Sequence, residues 1–364
     1  MTVSKNPSIF FAVLNMGLGH ATRSLPIIKD LIQKEFRITI GSSGRSFTFL
    51  QQEIPSAKFV ELPDYRLDYS QKGVTLGGIL KKLPSFFRSV IQEKRIVQQL
   101  LQDKNFDLII SDHRYGCHAP EIPSIFISHQ LRFIAPPGLQ AFEFIGFWFN
   151  RFFHKKFTHI LIPDEFSGGE GVLSGRMSRI SPSSRYHFCG ILSSLSKEKV
   201  QEDIDILFSI SGPEPQRTVF EQIIRKKLPR IPGKKVMALG KPESKQVETP
   251  SPDLVIYHHP SRKEMENLYN RSKIVVSRSG YSTIMELLEL RKKALFVPTP
   301  GQTEQIYLAK RLEKLGWFRW VHQNDPDFEK KLHDLLNLKE IDFPFSTELT
   351  LSRILEILDN YYHE

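Results

Sequence analysis

The sequence has 364 residues, 40% of them hydrophobic and 25% charged, which is the composition of a globular protein too long for one ordinary core. Its two cysteines, Cys117 and Cys189, exclude a disulfide framework and a four-cysteine zinc site, and they fit a reducing cytosol. The formal net charge of +10 indicates an acidic partner such as a nucleotide or anionic lipid, whereas dispersed basic residues without a known motif argue against nucleic acid.

The first half of the chain reads as strands that alternate with helices, which predicts a mainly parallel sheet covered on both faces. Its N-terminal apolar run enters a glycine turn rather than a cleavage site, so we expect no signal peptide. No uncharged apolar run reaches the length of a transmembrane helix. We place this domain at residues 1–192. Its predicted strands are Ile9 to Leu14, Ile38 to Gly41, Lys58 to Leu62, Asp107 to Ile110, Ser124 to Ser128, His159 to Pro163 and Tyr186 to Ile191.

Polar residues follow three of these strands at one edge of the predicted sheet. After the first strand, Gly17 and Gly19 permit a tight turn, and His20 enters the next helix. The third glycine of a dinucleotide-binding fingerprint is missing. Asp112 and His129 follow two further strands. Structural interpretations stay open, because a lone histidine often caps a helix and Asp112 is a good helix N-cap residue.

Two stretches, residues 79–102 and 139–157, combine basic side chains with many aromatic ones. We predict a helix in each. One interpretation is that these helices dock on an anionic membrane; the other is that they face the core and are solvated on the outside. The polar loop before the first stretch, Pro63 to Gly78, is long enough to indicate a function.

The second half begins after a polar, charged linker at residues 193–204 and forms a second domain at residues 205–345. Asp203 and Asp205 spell an Asp-x-Asp pattern, but they precede a strand, so we do not expect a metal there. Residues 346–364 are a predicted helix that crosses back to the first domain. The predicted strands of this half are Ile206 to Ile210, Val236 to Leu239, Leu254 to Tyr257, Ile274 to Val276 and Ala294 to Pro298.

The strand Ile274 to Val276 leads into a glycine turn and a helix, the geometry that leaves backbone N–H groups free to bind phosphate. The turn contains Ser279 and Gly280, and Ser282 and Thr283 fall in the first helical turn. An ordinary βαβ unit with a capped helix is the alternative. Further polar candidates near this edge are Glu286 on the same helix face, Gln302, Glu304 and Gln305 after the next strand, Ser211, Gly212 and Arg217 after the strand Ile206 to Ile210, and His258.

The Ser279–Gln305 segment resembles the donor-nucleotide region of GT-B glycosyltransferases of families 28 and 1, which include the enzymes that add N-acetylglucosamine to the peptidoglycan lipid precursor. The resemblance implies two doubly wound Rossmann-like domains that face a central cleft. It also implies that the Ser279–Thr283 turn, with the loop of Ser211, Gly212 and Arg217, meets the donor diphosphate, and that Glu286 holds the ribose. By the same resemblance Gln302, Glu304 and Gln305 reach the donor sugar and phosphate, and the His258 loop meets the nucleobase.

On the acceptor side, the turn of Gly17 and Gly19 resembles the first loop of these enzymes. The resemblance implies that His20 is the general base, that Asp112 orients it, and that His129 lies beside the acceptor. We therefore predict an inverting transferase that uses a nucleoside diphosphate sugar, with UDP as the expected nucleotide, and needs neither metal nor cofactor. The expected acceptor is a lipid-linked or small-molecule hydroxyl, and the expected location is the cytoplasm or the cytoplasmic membrane face. A nucleotide-sugar epimerase and a non-catalytic nucleotide-sugar binder are the alternatives.

Overall fold

The structure is a computed structural model that describes residues 7–65, 76–103, 105–135, 138, 140–181, 183–338, 343 and 345–363, with the side chains of 76–82, 142 and 360–363 left out. Most of the predicted loop Pro63 to Gly78 lies outside these residues, and its described end is already helical from Leu76. No helix in the described part of the chain is long and apolar enough to cross a membrane.

Strands and helices alternate along most of the described chain. The strands are β1 (Ser8–Val13), β2 (Arg37–Ser42), β3 (Lys58–Glu61), β4 (Leu108–Asp112), β5 (Ser124–Ile127), β6 (His159–Ile162), β7 (Phe166–Ser167), β8 (Glu170–Gly171), β9 (Tyr186–Phe188), β10 (Ile204–Ser209), β11 (Lys235–Ala238), β12 (Val247–Ser251), β13 (Leu254–Tyr257), β14 (Ser272–Ser277), β15 (Lys293–Phe296) and β16 (Arg319–Trp320). The helices are α1 (Gly19–Gln33), α2 (Gly44–Glu53), α3 (Leu76–Asp103), α4 (Glu143–His154), α5 (Gln216–Lys227), α6 (Arg262–Arg271), α7 (Tyr281–Glu289), α8 (Thr303–Lys314), α9 (Phe328–Asp334) and α10 (Thr347–His363).

The chain divides into two compact units. Among the described residues, unit 1 comprises those up to Ser194 together with the segment from Phe345 that contains α10, and unit 2 comprises residues 195–343. In unit 1, α10 packs on α1.

Unit 1 is built on a sheet of seven parallel strands in the order β3-β2-β1-β4-β5-β6-β9. β4 and β5 are buried along their whole length, as expected for central strands covered by helices on both faces. An aromatic cluster that includes Tyr115, Phe126, Phe153 and Phe157 fills one side of the core. This is a doubly wound Rossmann-like sheet.

Unit 2 contains six parallel strands in the order β13-β11-β10-β14-β15-β16, which repeats the order of the first six strands of the sheet in unit 1. The edge strand β12 joins antiparallel to β13. Phe208, Met237, Val276 and Leu295 point from neighbouring strands into one buried core. Both units therefore have the predicted α/β architecture.

Candidate active site

In each unit the strand order reverses direction between two central strands, and ligands of such sheets bind outside the carboxyl ends of those strands. In unit 1 the two strands are β1 and β4, and in unit 2 they are β10 and β14. His20 follows β1, and Asp112 is the last residue of β4. The topology thus explains why these two side chains, far apart in sequence, meet.

The turn after β1 is shaped by Gly17, whose φ of +66° lies in the region that favours glycine. Ser46 of α2 donates a hydrogen bond to the carbonyl of Gly17 at 3.2 Å and holds the turn. The N-cap position of α1 is Leu18, which makes no side-chain capping bond. The interpretation of His20 as a helix cap is therefore wrong.

His20 and Asp112 form a buried pair. Nδ1 of His20 lies 2.8 Å from Oδ1 of Asp112. Asp112 is fully buried, and a turn that leads to β5 follows it rather than a helix. The alternative role of Asp112 as a helix N-cap is therefore wrong, and its carboxylate orients the imidazole instead.

Arg23 is a member of this site that the sequence analysis missed. Its Nε donates to Oδ2 of Asp112 at 2.8 Å, and its Nη2 donates to Oδ1 of the same carboxylate. Ser24 adds a third donor, with its Oγ 2.8 Å from Oδ2. The His-x-x-Arg spacing places His20 and Arg23 on one helix face, so the signal was present in the sequence.

Two more histidines surround the guanidinium. Nη1 of Arg23 lies 2.8 Å from Nδ1 of His129, which therefore belongs to the same cluster as His20. His113 lies 3.2 Å from Nη2 through its Nδ1, but that nitrogen also lies 3.0 Å from the carbonyl of Ile127. A carbonyl only accepts, so we place the His113 proton on Nδ1.

The charges of the cluster set its protonation. Burial, and then the neighbouring Arg23 guanidinium, lower the pKa of His20 to about 3, although Asp112 acts in the opposite direction. Burial raises the pKa of Asp112, but Arg23 and His20 outweigh this effect and hold that pKa well below its usual value. At neutral pH the site therefore contains an ionised aspartate, a cationic arginine and a neutral imidazole that is able to accept a proton.

One possible ligand atom from each of His20, Asp112 and His113 lies within 4.8 Å of the other two, a spacing that a metal ion could use. Arg23, however, already occupies both carboxylate oxygens of Asp112 with its positive charge. We therefore interpret the cluster as a hydrogen-bond network rather than a metal site.

In unit 2, the turn after β14 opens α7 at Tyr281, with Gly280 at the N-cap. Oγ of Ser279 donates to the carbonyl of Gln305 at 2.9 Å, which ties this turn to the first turn of α8. Ser282 and Thr283 lie half-buried in the first turn of α7, as predicted. The amino end of α7 thus lies at the switch point between β10 and β14.

The loop after β15 is held by its own amide side chains. Gln305 accepts from the backbone N–H of Thr299 at 2.8 Å and donates to Oε1 of Gln302. Because Ser279 bonds to Gln305, the structure brings three of the predicted donor residues together. Glu304 lies half-buried in the first turn of α8.

Arg278, directly before Ser279, is the residue of unit 2 that the sequence analysis missed. It is only 2% exposed, and its Nη1 donates to the carbonyls of Val297 at 2.8 Å and Pro298 at 3.2 Å. Its Nη2 donates to the carbonyl of Gln216 at 3.1 Å and to Oε1 of Gln323 at 2.8 Å. Burial lowers its pKa to about 9, so it is cationic at neutral pH.

Three buried polar atoms near this point have no partner among the described residues. They are Nε of Arg278, Oγ1 of Thr299 and Oε1 of Gln216. Buried polar atoms are nearly always hydrogen-bonded, so each is a position for a water molecule or a ligand group. All three lie in the segments that follow β10, β14 and β15.

Glu286 is half-buried, on the second turn of α7. Burial, and then the Glu286 carboxylate, raise the pKa of Tyr269 above its usual value. The Tyr269 hydroxyl donates to Ser209, the last residue of β10, at 3.1 Å. Glu286 therefore lies on the side of α7 that approaches the switch point.

The remaining donor candidates are less well placed. Ser211 and Gly212 are exposed in the loop after β10, where Gly212 has a φ of +120°. Arg217 donates to Glu214 at 2.8 Å and to the carbonyl of Gly240. Its guanidinium is therefore already bound to other groups of the protein. His258 follows β13 and pairs with Glu248 of β12 at 2.5 Å.

Both carboxylates of the Asp-x-Asp pattern, Asp203 and Asp205, are paired with basic side chains. Asp203 pairs with Arg271 and Lys234, each at 2.7 Å. Asp205 pairs with Lys273 at 2.7 Å and accepts from the backbone N–H of Lys234. Both carboxylates thus form ion pairs beside the start of β10.

Comparison with known proteins finds a family match over part of the chain. Residues 217–350 match the family model described as the glycosyltransferase family 28 C-terminal domain. The UDP-N-acetylglucosamine–N-acetylmuramyl-(pentapeptide) pyrophosphoryl-undecaprenol N-acetylglucosamine transferase of Sulfurihydrogenibium sp. strain YO3AOP1 is 37% identical over 98 residues. That alignment covers 25% of this chain and 28% of the relative, so the chain matches less than a third of the relative's length.

Solved structures match nearly the whole chain. MurG from Acinetobacter baumannii has a TM-score of 0.55 at 14% identity and covers 95% of this chain and 94% of its own. A putative UDP-N-acetylglucosamine 2-epimerase from Listeria monocytogenes has a TM-score of 0.66 at 11% identity, with coverage of 99% and 97%. The chain has the GT-B fold, and its second unit is similar to the C-terminal domain of the family 28 glycosyltransferases.

Proposed function

We propose that this protein is an inverting, metal-independent glycosyltransferase that moves a sugar from a UDP-sugar to a hydroxyl acceptor. The observation that carries the proposal is the strand–turn–helix at Ser279–Thr283, which lies in the segment similar to family 28 enzymes. The relative from Sulfurihydrogenibium is named for transfer of N-acetylglucosamine and for a UDP donor. That name supports the same class of donor for this chain.

On the donor side, the amino end of α7 offers backbone N–H groups and the positive end of the helix dipole to a diphosphate. The buried charge of Arg278 lies directly before this turn, and no carboxylate among the described residues pairs with it. These positive groups would stabilise the departing diphosphate without a metal ion. Glu286 would accept hydrogen bonds from the ribose hydroxyls.

On the acceptor side, Nε2 of His20 would take the proton of the acceptor hydroxyl while the oxygen bonds to the anomeric carbon. The bond from that carbon to the diphosphate breaks on the opposite face, which inverts the configuration. Asp112 orients the ring through Nδ1 and stabilises the imidazolium that forms. The turn of Gly17 and Gly19 brings the backbone close to the acceptor.

An exposed aromatic face supports a membrane-associated acceptor. Phe144, Trp148 and Phe152 recur every four residues along α4 and are 58%, 60% and 60% exposed. Arg151 lies on the same helix with its guanidinium 5.9 Å from the Trp148 ring. Apolar faces rimmed by basic residues are typical of helices that lie on anionic membranes. We propose that unit 1 docks on such a membrane through α4 and that the acceptor is lipid-linked.

A nucleotide-sugar epimerase is the second candidate, because the Listeria structure shares the fold. The fold does not discriminate between the two activities, whereas the sequence match lies with transferases. Incubation with a panel of UDP-sugars, with and without hydroxyl acceptors, separates them. A transferase converts the donor only when an acceptor is present, and an epimerase converts the donor alone. Donor binding without any turnover would identify a non-catalytic binder and overturn the proposal.

The donor site has its own test, which needs no acceptor. Loss of hydrogen bonds to a charged group costs about 1.5–3 kcal/mol, so Glu286→Ala should bind the UDP-sugar roughly 10- to 150-fold more weakly. Calorimetry measures this directly, with Glu289→Ala on the same helix as the matched control. Unchanged affinity of the Glu286 variant would remove this residue from the site.

A further inference from the structure

The three histidines around Arg23 have different hydrogen-bond partners, and these partners determine which ring nitrogen carries the proton. Arginine N–H groups only donate, and carbonyl and carboxylate oxygens only accept. A neutral histidine donates through one nitrogen and accepts through the other. The partners of Arg23 therefore constrain the tautomers of the rings that it touches.

His129 faces a donor. Nη1 of Arg23 lies 2.8 Å from its Nδ1, so Nδ1 accepts and the proton is on Nε2. His113 has the opposite arrangement, since its Nδ1 donates to the carbonyl of Ile127 at 3.0 Å and its Nε2 lies 3.3 Å from Oγ of Ser128.

His20 faces one donor and one acceptor at the same nitrogen. Its Nδ1 lies 2.8 Å from Oδ1 of Asp112 and 2.9 Å from Nη2 of Arg23. Nη2 already donates to Oδ1 of Asp112, and Nε donates to Oδ2. Arg23 keeps Asp112 ionised, and an ionised carboxylate only accepts, so the 2.8 Å contact places the proton on Nδ1 of His20 and the lone pair of the ring on Nε2.

We propose that Arg23 is a positioning residue that fixes these proton positions, making His20 a proton acceptor at Nε2 and His129 a hydrogen-bond donor at Nε2. This inference rests on the proposed function for its catalytic consequence, but the proton positions themselves can be measured without any turnover. Three of the five N–H groups of the guanidinium have a role in this network: two donate to Asp112, and one donates to His129.

Arg23 also controls the basicity of His20. The groups that face His20 are Arg23 on α1, Asp112 and His113 at the end of β4, and His129 beyond the guanidinium. Arg23 lowers the pKa of His20 and Asp112 raises it. Removal of the guanidinium therefore raises the pKa of His20, and activity that needs the neutral ring is then lost at a higher pH.

The test is long-range ¹H–¹⁵N correlation NMR on the full chain labelled with ¹⁵N-histidine, with signals assigned by single His→Gln variants. In the unsubstituted protein we expect the Nδ1–H tautomer for His20 and His113 and the Nε2–H tautomer for His129. Any other tautomer at His20 or His129 overturns the proposal. This experiment involves no substitution at Arg23, so a folding defect cannot obscure it.

Two variants extend the test. Arg23→Met removes the charge and the donors, so His129 should lose its single tautomer and the acid limb of the pH–rate profile should move upward. Arg23→Lys keeps the charge, so the acid limb of its pH–rate profile should stay at low pH. Lysine cannot bridge Asp112 and His129 in the same way, so His129 should still lose its single tautomer. Unchanged tautomers and an unchanged profile in a folded Arg23→Met protein would overturn the proposal. If the tautomers are as expected but no transferase activity exists, the proposed function fails and the assignment of proton positions stands.

Discussion

At the scale of single residues, both units place a buried arginine at the switch point of the sheet. Arg23 holds the proposed base in unit 1, and Arg278 ties together three loops in unit 2. The sequence predicts His20, Asp112 and Ser279 because a strand end or a glycine turn marks each of them. It does not predict that Arg23 on α1 and Arg278 after β14 are buried, since charged side chains normally point to solvent.

Arg278 gives the first residue-scale prediction. Its charge is buried, and its guanidinium carbon lies 4.1 Å from the centre of the Phe220 ring. Arg278→Met removes the charge and its hydrogen bonds to the three loops. The loss of about 1.5–3 kcal/mol should weaken UDP-sugar binding roughly 10- to 150-fold, as measured by calorimetry.

The matched control for Arg278→Met is Arg271→Met, which removes an arginine that pairs with Asp203 at the opposite end of β14. That variant should bind the donor as the unsubstituted protein does. An Arg278→Met protein with an unchanged melting temperature and unchanged donor affinity would show that the buried charge plays no part in the site.

The buried side chain of His154 leads to a prediction of how the free energy of unfolding depends on pH. Burial, and then His113 and Arg185, lower the pKa of His154 to about 3, and its ring packs against Phe126. Between about pH 6.5 and about pH 3 the unfolded chain binds a proton at this residue and the folded chain does not. The contribution of His154 to the free energy of unfolding is therefore fully present above about pH 6.5. As the pH is lowered, the free energy of unfolding falls by about 1.4 kcal/mol per pH unit.

Urea unfolding from about pH 6 to about pH 4 measures this slope. His154→Leu should reduce the pH dependence of the unfolding free energy by about one proton, or about 1.4 kcal/mol per pH unit. His333→Leu on the surface is the control. Equal slopes for the His154 variant and the unsubstituted protein would contradict the prediction.

At the scale of elements, the sequence predicts each strand that carries an apolar run, although some strands end earlier than expected. It misses β12, with the sequence Val-Glu-Thr-Pro-Ser, because a polar edge strand is defined only by its pairing with β13. It also misses α6, although Ser261 and Glu264 spell the capping box that the structure shows at its start. β12 is not predictable from its own residues, because its pairing with β13 is not a local property of the sequence. α6 was predictable, because its capping box is written in the sequence.

The exposed face of α4 is the element that decides whether unit 1 binds membranes. A double substitution, Trp148→Ser with Phe152→Ser, removes two aromatic side chains that are each 60% exposed. Each aromatic side chain contributes on the order of 1.5 kcal/mol when buried, so binding to anionic vesicles should fall at least tenfold. Vesicle co-sedimentation measures this, with Leu336→Ser of unit 2 as the control.

Salt tests the electrostatic part of the same prediction. Binding to anionic vesicles should weaken as the ionic strength rises, and neutral vesicles should bind less. If the unsubstituted protein binds neither kind of vesicle, α4 does not dock on membranes, and its aromatic face has another partner.

At the scale of the whole molecule, each sheet contains six parallel strands in the same order, and each places residues of the proposed site at the carboxyl ends of its central strands. The alternation of strands and helices predicts this architecture from sequence. The identity of the sugar and of the acceptor depends on side chains around each crevice rather than on the fold, and fold likeness to both a transferase and an epimerase illustrates this point.

The central claim is that His20 is the base of a glycosyl transfer. Asp112→Asn is a poor first test, because it leaves Arg23 buried without its counter-charge at a cost of about 3–5 kcal/mol. His20→Ala removes the imidazole and leaves the pairing of Arg23 with Asp112 intact.

The decisive measurement is therefore the turnover and the UDP-sugar affinity of His20→Ala, with His333→Ala as the control. A general base contributes about 10²–10⁴-fold to turnover, so turnover should fall by that factor. Donor affinity, which we assign to groups in unit 2, should stay unchanged. A His20→Ala protein with near-normal turnover would contradict the account.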